Sequence, residues 1–457
     1  MKAFLSDLLK KCEEGYKHAV LVYLDADGYP VSVATNYGVD VDRGVVKLRA
    51  PEGVAPADGA RVNVIVSHIH PAPGVGYDQR RYIQFWGQVA RSNGTLELEP
   101  KRGHTWSEHE LPFVEYQEVS VQQGHEYLRR LSEEQGRPVK PKLSRGWLFL
   151  RATRLPFLSA TFIPIALGVA AAAFAGDFHL GWALLTLLGG ACIHLGLNTA
   201  NDIFDTASGA DAANTTPTQF SGGSRVVHYG LMTMRQLVAL SASFYVAGIA
   251  IGLWLAVERG FWPLFWIGVA GVFVSVFYTA PPFRFVHRGV GEIMVALGFG
   301  PIMLLGAHYV QAQTFTWEAG LLSVPVAILI ALVLYVNEIP DRRGDAAAGK
   351  RTLPVRWSKE AVIRAYAWSV AVAFAVIGGG AITGILPRPT IIALAALPLA
   401  RKTVAGMREH YEDPYALMPF MGVNIKLHAF TGLLLLLGYV IAIVAQAVLD
   451  TPPAVLT

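Results

Sequence analysis

Charge is scarce in this chain: only 16% of its 457 residues are Asp, Glu, Lys or Arg, and the formal net charge is +4. So small a surplus over that length leaves no electrostatic footprint for nucleic acid. Cysteine is scarcer. Cys12 and Cys192 are the only two, far apart in sequence, which excludes a disulfide framework and a cysteine metal site and leaves two inert thiols. The amino terminus, MKAFLSDLLKKCEEGYKHA, lacks the long uncharged apolar stretch and small-residue cleavage site of a secretory signal, so it is expected to remain in the cytoplasm as part of the first domain.

What the chain has in excess is hydrocarbon. Hydrophobic residues make up 53% of it, and its mean hydropathy of +0.39 points to a membrane class. The charged residues gather in the first third, which predicts a soluble domain over 1–140, a Pro- and Lys-containing linker over 141–152, and a membrane domain over 153–450. In the last, nine apolar stretches recur near the length that crosses a hydrocarbon core: 155–175, 180–200, 237–257, 262–280, 291–311, 320–338, 362–386, 389–403 and 427–449. They are too long and too rich in Ala and Leu for barrel strands, so an all-α bundle of about nine transmembrane helices is expected.

Basic residues follow the even-numbered stretches: Arg225 and Arg235; Arg284 and Arg288; Arg342, Arg343, Lys350, Arg351, Arg356 and Lys359; Arg401, Lys402, Arg408 and Lys426. The opposite loops carry only Arg259 and Arg388, whereas Lys140, Lys142, Arg145, Arg151 and Arg154 precede the first stretch. Positive loops stay inside, so the first domain is expected in the cytoplasm and the carboxyl terminus on the other side of a cell membrane.

The first domain reads as a helix near 2–14, short strands (HAVLVYLDAD, VSVATNY, VVKLRA, RVNVIVSHI, RYIQFWGQVARS, TLELEP) with glycine-containing turns, and a helix near 123–135. That pattern suggests a small barrel. The strand order, with LDADGYPVSVA and WGQVAR, resembles the flavin-binding split barrel of the pyridoxamine phosphate oxidase type over about residues 15–120. The resemblance implies FMN as a possible cofactor, but no clear set of phosphate-binding residues accompanies it, and a cofactor-free barrel stays open. His68 and His70, at i, i+2 on one strand face, are either metal ligands lacking an evident third partner or an exposed pair.

The chemistry-bearing stretch is NTANDIFDTASGAD at the end of the second apolar run. Asn198, Asp202 and Asp205 stand at i, i+4, i+7, on one face if the helix continues, with Asn201 beside them. Acids at a membrane helix end are costly without a compensating cation. The sixth run ends in NEIPDRRGDAAAGKRT, where Asn337, Asp341 and Asp345 repeat an amide four residues before the first acid. An interfacial cap explains one such cluster but not two after different helices. Magnesium commonly takes one or two carboxylates plus substrate phosphates, and facing clusters suit a bridged diphosphate, with Lys350 and Arg351 placed to neutralise the leaving group.

These two motifs, their order and their surroundings resemble the UbiA-type intramembrane prenyltransferases over nearly all of residues 150–450. Asp211, ten residues after Asn201 in NDIFDTASGAD, and GKRTLPVRW are similar to the menaquinone-branch dihydroxynaphthoate prenyltransferases. The resemblance implies transfer of a prenyl group from a prenyl diphosphate to an aromatic acceptor in menaquinone biosynthesis. Asp202, Asp205, Asp341 and Asp345 would serve as catalytic and metal-binding acids, and Asn198, Asn201, Asp211, Asn337, Lys350 and Arg351 as substrate contacts. Arg154, Arg225 and Tyr278 occupy family-like positions, although Leu155 intervenes before the proline that follows Arg154, and a positive-inside anchor or an interfacial aromatic accounts equally for Arg154 and Tyr278. His194 and His308 are read as proton relays or helix-to-helix hydrogen bonds, and Glu292 as a pocket wall or a helix-start acid. The same fold with a glyceryl phosphate, benzoate or porphyrinoid acceptor is the nearest alternative. A cation transporter, which would need acids near mid-span, is the distant one.

Overall fold

The structure, a computed structural model, describes residues 2–449 apart from 14, 26, 52–54, 73–75, 93, 112, 140–142, 215–217 and 219. The chain divides into two compact units, Met1–Lys140 and Pro141–Thr457.

In the first unit, α1 (Lys2–Glu13) is followed by β1 (His18–Leu24), β2 (Pro30–Thr35), β3 (Tyr37–Asp40), β4 (Val45–Arg49), β5 (Arg61–Ala72), β6 (Gly76–Ser92), β7 (Thr95–Ser107) and α2 (Phe113–Gln135). All pairings are antiparallel in the order β2-β1-β5-β6-β7-β4-β3. Only Asn36 separates β2 from β3, yet they lie at opposite edges of that order, so the sheet must curl until its edges approach. Alternate residues point inward: Leu21, Val64, Val66, Ile83, Phe85, Leu96 and Leu98 form its core with Leu8, Leu9 and Cys12 of α1. Burial pushes the Cys12 thiol up to about 12, which keeps it an inert, protonated core residue.

The second unit contains α3 (Arg145–Thr153), α4 (Ser159–Phe174), α5 (Leu180–Ser208), α6 (Ala210–Ala213), α7 (Met234–Arg259), α8 (Phe261–Phe277), α9 (Gly291–Leu297), α10 (Met303–Ala312), α11 (Trp317–Ala347), α12 (Leu353–Arg356), α13 (Lys359–Thr383), α14 (Leu397–His410) and α15 (Pro414–Leu449). A π turn at Gly298–Ile302, where Pro301 cannot supply an N–H, joins α9 to α10 as one apolar run. Among the described residues seven helices are long and apolar enough to cross a membrane, against the nine expected. The difference lies in α4 and α8, of 16 and 17 residues. At about 1.5 Å per residue these fall a few ångströms short of a roughly 30 Å core.

α11 is the central helix, buried along most of its apolar stretch, whereas α7 is mostly exposed along its own. Its Leu322, Val326, Leu329, Val336 and Ile339 pack with Tyr366, Val370 and Ile377 of α13 and with Leu435 and Tyr439 of α15. Around this core, large apolar side chains such as Leu188, Trp254, Trp266, Trp368 and Val444 point outward, as on a lipid-facing surface. The bundle has two distinct ends. At one, His179 after α4 donates its N–H to Gln311 Oε1 at 2.8 Å, and Arg259 at the end of α7 donates to the Val310 carbonyl at 2.8 Å. At the other, Arg342 near the end of α11 pairs with Glu412 and lies over the Tyr411 ring beyond α14.

Candidate active site

α5 and α11 run past the points where their apolar stretches end. α5 stays helical to Ser208, where Gly209 takes a left-handed cap, and α11 continues through Pro340 to Ala347. Helical continuation puts each amide on the same face as its acids. A cavity of about 210 Å³ lies between the two helix ends, lined by Arg154, Asn198, Asn201, Asp205, Asp211, Tyr278, Asn337, Glu338, Asp341, Asp345 and Lys350 among others.

The helix ends are tied together twice. Lys350 Nζ sits 2.6 Å from Asp205 Oδ1 of α5 and 3.7 Å from Asp345 Oδ1 of α11. Burial disfavours its charge, but Asp205 and Asp345 more than offset this and raise Lys350 well above its ordinary value. The second tie is the segment after α6. Asp202 accepts hydrogen bonds from the Ser224 N–H and hydroxyl, while Asp341 accepts from Asn214 Nδ2 at 2.9 Å and the Gly222 N–H at 3.1 Å. Gly223 adopts a φ of +72°, and a Cβ there would meet Asp202 Oδ1 at 2.9 Å, so this segment can lie against α5 only with glycine in place.

Ten expected site residues therefore line one cavity, and three do not. Asp202, 1% exposed, holds the Gly223–Ser224 segment from beneath. Arg225 is buried and donates to the carbonyls of Asp211 and Asn214, bracing the loop. Arg351 is exposed. Within the cavity, Asn198 donates to the Thr153 carbonyl at 3.1 Å, Asn201 to Asp205 at 3.1 Å, and Arg154 lies 4.9 Å over the Phe157 ring. Thr206 donates to Asp211 at 2.8 Å. Burial, reinforced by the charges of Asp205 and Asp202, pushes the Asp211 carboxyl up to about 7.

Sequence reasoning missed Glu338. It stands beside Asn337, lines the cavity and is 5% exposed, with Glu292 of α9 as its neighbouring carboxyl. His194 is bonded to Thr161 of α4 at 2.7 Å, the helix-to-helix alternative, whereas His308 is bonded to the Thr314 carbonyl at 3.1 Å, in the loop that follows its own helix. His68 bonds the Gly15 carbonyl at 2.7 Å, and the side chain of His70 lies outside the described residues.

Among the described residues no three acids, histidines or cysteines are close enough to cage a metal ion alone. The donor set nevertheless fits a divalent cation bound with phosphate. Five carboxylates, Asp205, Asp211, Glu338, Asp341 and Asp345, face two cationic side chains, Arg154 and Lys350, and magnesium needs only one or two of them once phosphate oxygens complete its shell. A second cavity of about 600 Å³ shares His194, Leu197, Tyr278, Val295 and Phe299 with the first. Apart from Thr186, His194, Ser275 and Tyr278, its wall is apolar side chains, Met294 and Met303 among them, and glycine.

Fold and site together define a multi-pass helical membrane protein whose acidic chemistry is gathered at one end of the bundle. The chain belongs to the UbiA prenyltransferase family, which matches it over residues 161–425, and it is a prenyltransferase. It is similar to 2-carboxy-1,4-naphthoquinone phytyltransferase of Synechocystis sp., with 29% identity over 297 residues, 64% of this chain and 92% of the relative. The 1,4-dihydroxy-2-naphthoate octaprenyltransferase of Bacillus subtilis is 25% identical over 315 residues, 69% and 99% of the two chains. A solved UbiA homolog from Archaeoglobus fulgidus bound to DMAPP and Mg2+ aligns with a TM-score of 0.45 and 16% identity over 63% of this chain and 98% of the homolog. The family match begins at residue 161, outside the first unit, and FMN there is not supported.

Proposed function

We propose that this chain transfers a prenyl group from a prenyl diphosphate to a dihydroxynaphthoate-type acceptor, with magnesium bound at the α5 and α11 ends. The observation that carries the reading is the cavity where acidic residues from both helix ends meet Lys350 and pass directly into a hydrocarbon-lined cavity. The diphosphate belongs at the acidic end and the prenyl chain along the apolar wall. Asp205, Asp341 and Asp345 would hold magnesium, which supplies charge neutralisation of the departing diphosphate.

The protein's own residues do the rest. Lys350 and Arg154 face the diphosphate as negative charge develops on it. Asp202 and Arg225 act from behind, fixing the loop that closes the site. The apolar wall keeps water from the allylic carbon as its bond to oxygen breaks. The names of the Synechocystis and Bacillus relatives support a naphthoate acceptor. A transporter would need the polar path to continue, whereas beyond Asn337 the α11 wall becomes Leu334, Val333 and Ile330. Mass spectrometry of products from a mixture of naphthoate, benzoate and glyceryl phosphate acceptors, with magnesium or chelator, tests the reading. A benzoate or glyceryl phosphate product in place of the naphthoate one, or turnover indifferent to chelation, refutes it.

We further infer that α4 and α8 cross the bilayer, making nine spans with the first unit cytoplasmic. The support is alternation: connections after α4, α7 and α10 meet at one end, and those after α5, α8 and α11 at the other. A cytoplasm-only reporter fused after Thr457 should be silent, and activity there rules the topology out.

A further inference from the structure

Glu338 is a buried acid without an explained role. Neither of its carboxyl oxygens, nor Glu292 Oε1, meets a donor among the described residues other than the facing carboxyl of the pair, although both side chains are more than nine-tenths buried. A buried carboxylate left so is costly unless a ligand completes it.

Its position is informative. The cavity-facing residues of α11 step from Ile330, Val333 and Leu334 through Asn337 and Glu338 to Asp341 and Asp345. Glu338 therefore lies about 4.5 Å deeper than Asp341 along the helix. It marks the level at which acid gives way to hydrocarbon, where Tyr278 lines both cavities. A prenyl diphosphate seated with its phosphates at Asp341 and Asp345 brings its first carbon to this level, and the acceptor ring must meet it there.

We propose that Glu338, with Glu292 behind it, is the acceptor-anchoring site and takes a hydrogen bond from a hydroxyl on the aromatic ring. This rests on the prenyl-transfer reading above. With one proton shared between the two facing carboxyls, one carboxylate remains, and a carboxylate only accepts, so the pair selects a ring that donates. As the carbon–carbon bond forms, the bond from the allylic carbon to diphosphate breaks, and its electron pair leaves with diphosphate. The hydroxyl proton moves to Glu338, which raises electron density in the ring. Aromaticity returns when the alkylated carbon loses carbon dioxide, whose bonding electron pair stays in the ring, and Glu338 then gives its proton back to the ring oxygen.

The test is steady-state kinetics of the full-length protein in vesicles, with both substrates varied. The acceptors are 1,4-dihydroxy-2-naphthoate and the analogue whose two hydroxyls are methylated. Glu338→Gln should raise the acceptor KM about tenfold or more, as for loss of a charge-assisted hydrogen bond, with the prenyl diphosphate KM little changed. The methylated analogue should be equally poor with wild type and variant. Glu338→Asp, which keeps the charge, should recover part of the loss and guards against misfolding of the Gln variant. Equal rises in both KM values, or no rise in the acceptor KM, overturn the proposal. A wild-type protein that turns over no hydroxylated aromatic at all defeats the prenyl-transfer reading first, and this proposal with it.

Discussion

Asp202 and Asp341 occupy matching places in the two motifs, and in the structure each grips the segment after α6 from its own side. Replacing either with Asn removes a charge and converts an acceptor oxygen into a donor facing an N–H. Asp341→Asn should lose about a hundredfold to a thousandfold in turnover, the scale of about 3–4 kcal/mol for a preorganised electrostatic contact, and Asp202→Asn about a hundredfold, the scale for misplacing a catalytic group by about 1 Å. Because both act on one loop, the double variant should lose far less than the product of the single losses. Turnover of labelled prenyl diphosphate, with membrane insertion checked, decides it. Near-normal turnover in either single variant removes that acid from the machinery.

Asp211 carries a pH prediction. Its folded value of about 7 lies above the ordinary 3.8, so folding disfavours its ionised form. Stability from this residue is greatest at low pH, is lost as pH rises between those two values, and stays low above 7. Asp211→Asn should therefore raise the melting temperature of the metal-free protein at pH 8 and leave it unchanged at pH 3.5. A variant that melts lower at pH 8 contradicts this. At this scale the sequence was generous where a role depends on spacing, as with the two amide-acid repeats and Lys350. It was silent where a role depends on a partner far along the chain, as with Asp202 and Ser224, or Arg225 and the Asp211 carbonyl. Glu338 was hidden by adjacency, since nothing in NEIPD distinguishes it from an exposed neighbour of Asn337.

Among elements, packing depends on close approach. An added Cβ on Gly168 of α4 would come within 2.3 Å of the Leu304 carbonyl of α10. Lipid offers no hydrophobic drive for helices to associate, so contacts of small residues carry much of the load. Gly168→Ala should destabilise the bundle by about 1–3 kcal/mol through overpacking, read as a lower melting temperature in detergent. No change would mean that α4 can move aside. The apolar stretches located the helices well but misjudged their ends. α5 and α11 extend 8 and 9 residues beyond the expected 200 and 338, because polarity ends an apolar stretch without ending a helix. α15 likewise starts at Pro414, ahead of the expected 427. In the first unit the run VSVATNY continues past Asn36 as β3, a bend that alternation alone does not reveal.

For the whole molecule, both acidic motifs and both cavities belong to the second unit, and each unit has its own core. Cutting the chain near Lys142 should leave prenyl transfer in membranes largely intact. A shortened protein that inserts normally yet is inactive would show that the first unit contributes to the reaction.

The carboxylate rim also bears on departure. The prenyl ester that enters carries its charge partly masked, whereas the diphosphate that must leave has gained an ionisable oxygen among Asp205, Asp341 and Asp345. In the proposed reaction, repulsion would fall on the spent anion once the metal leaves with it or before it, and would spare an uncharged, newly lengthened ring. The two products of that reaction would part by different exits, one into water and the other along hydrocarbon. Once parted, they rarely meet again, so the back reaction is starved of one of its reactants and traffic through the site runs one way.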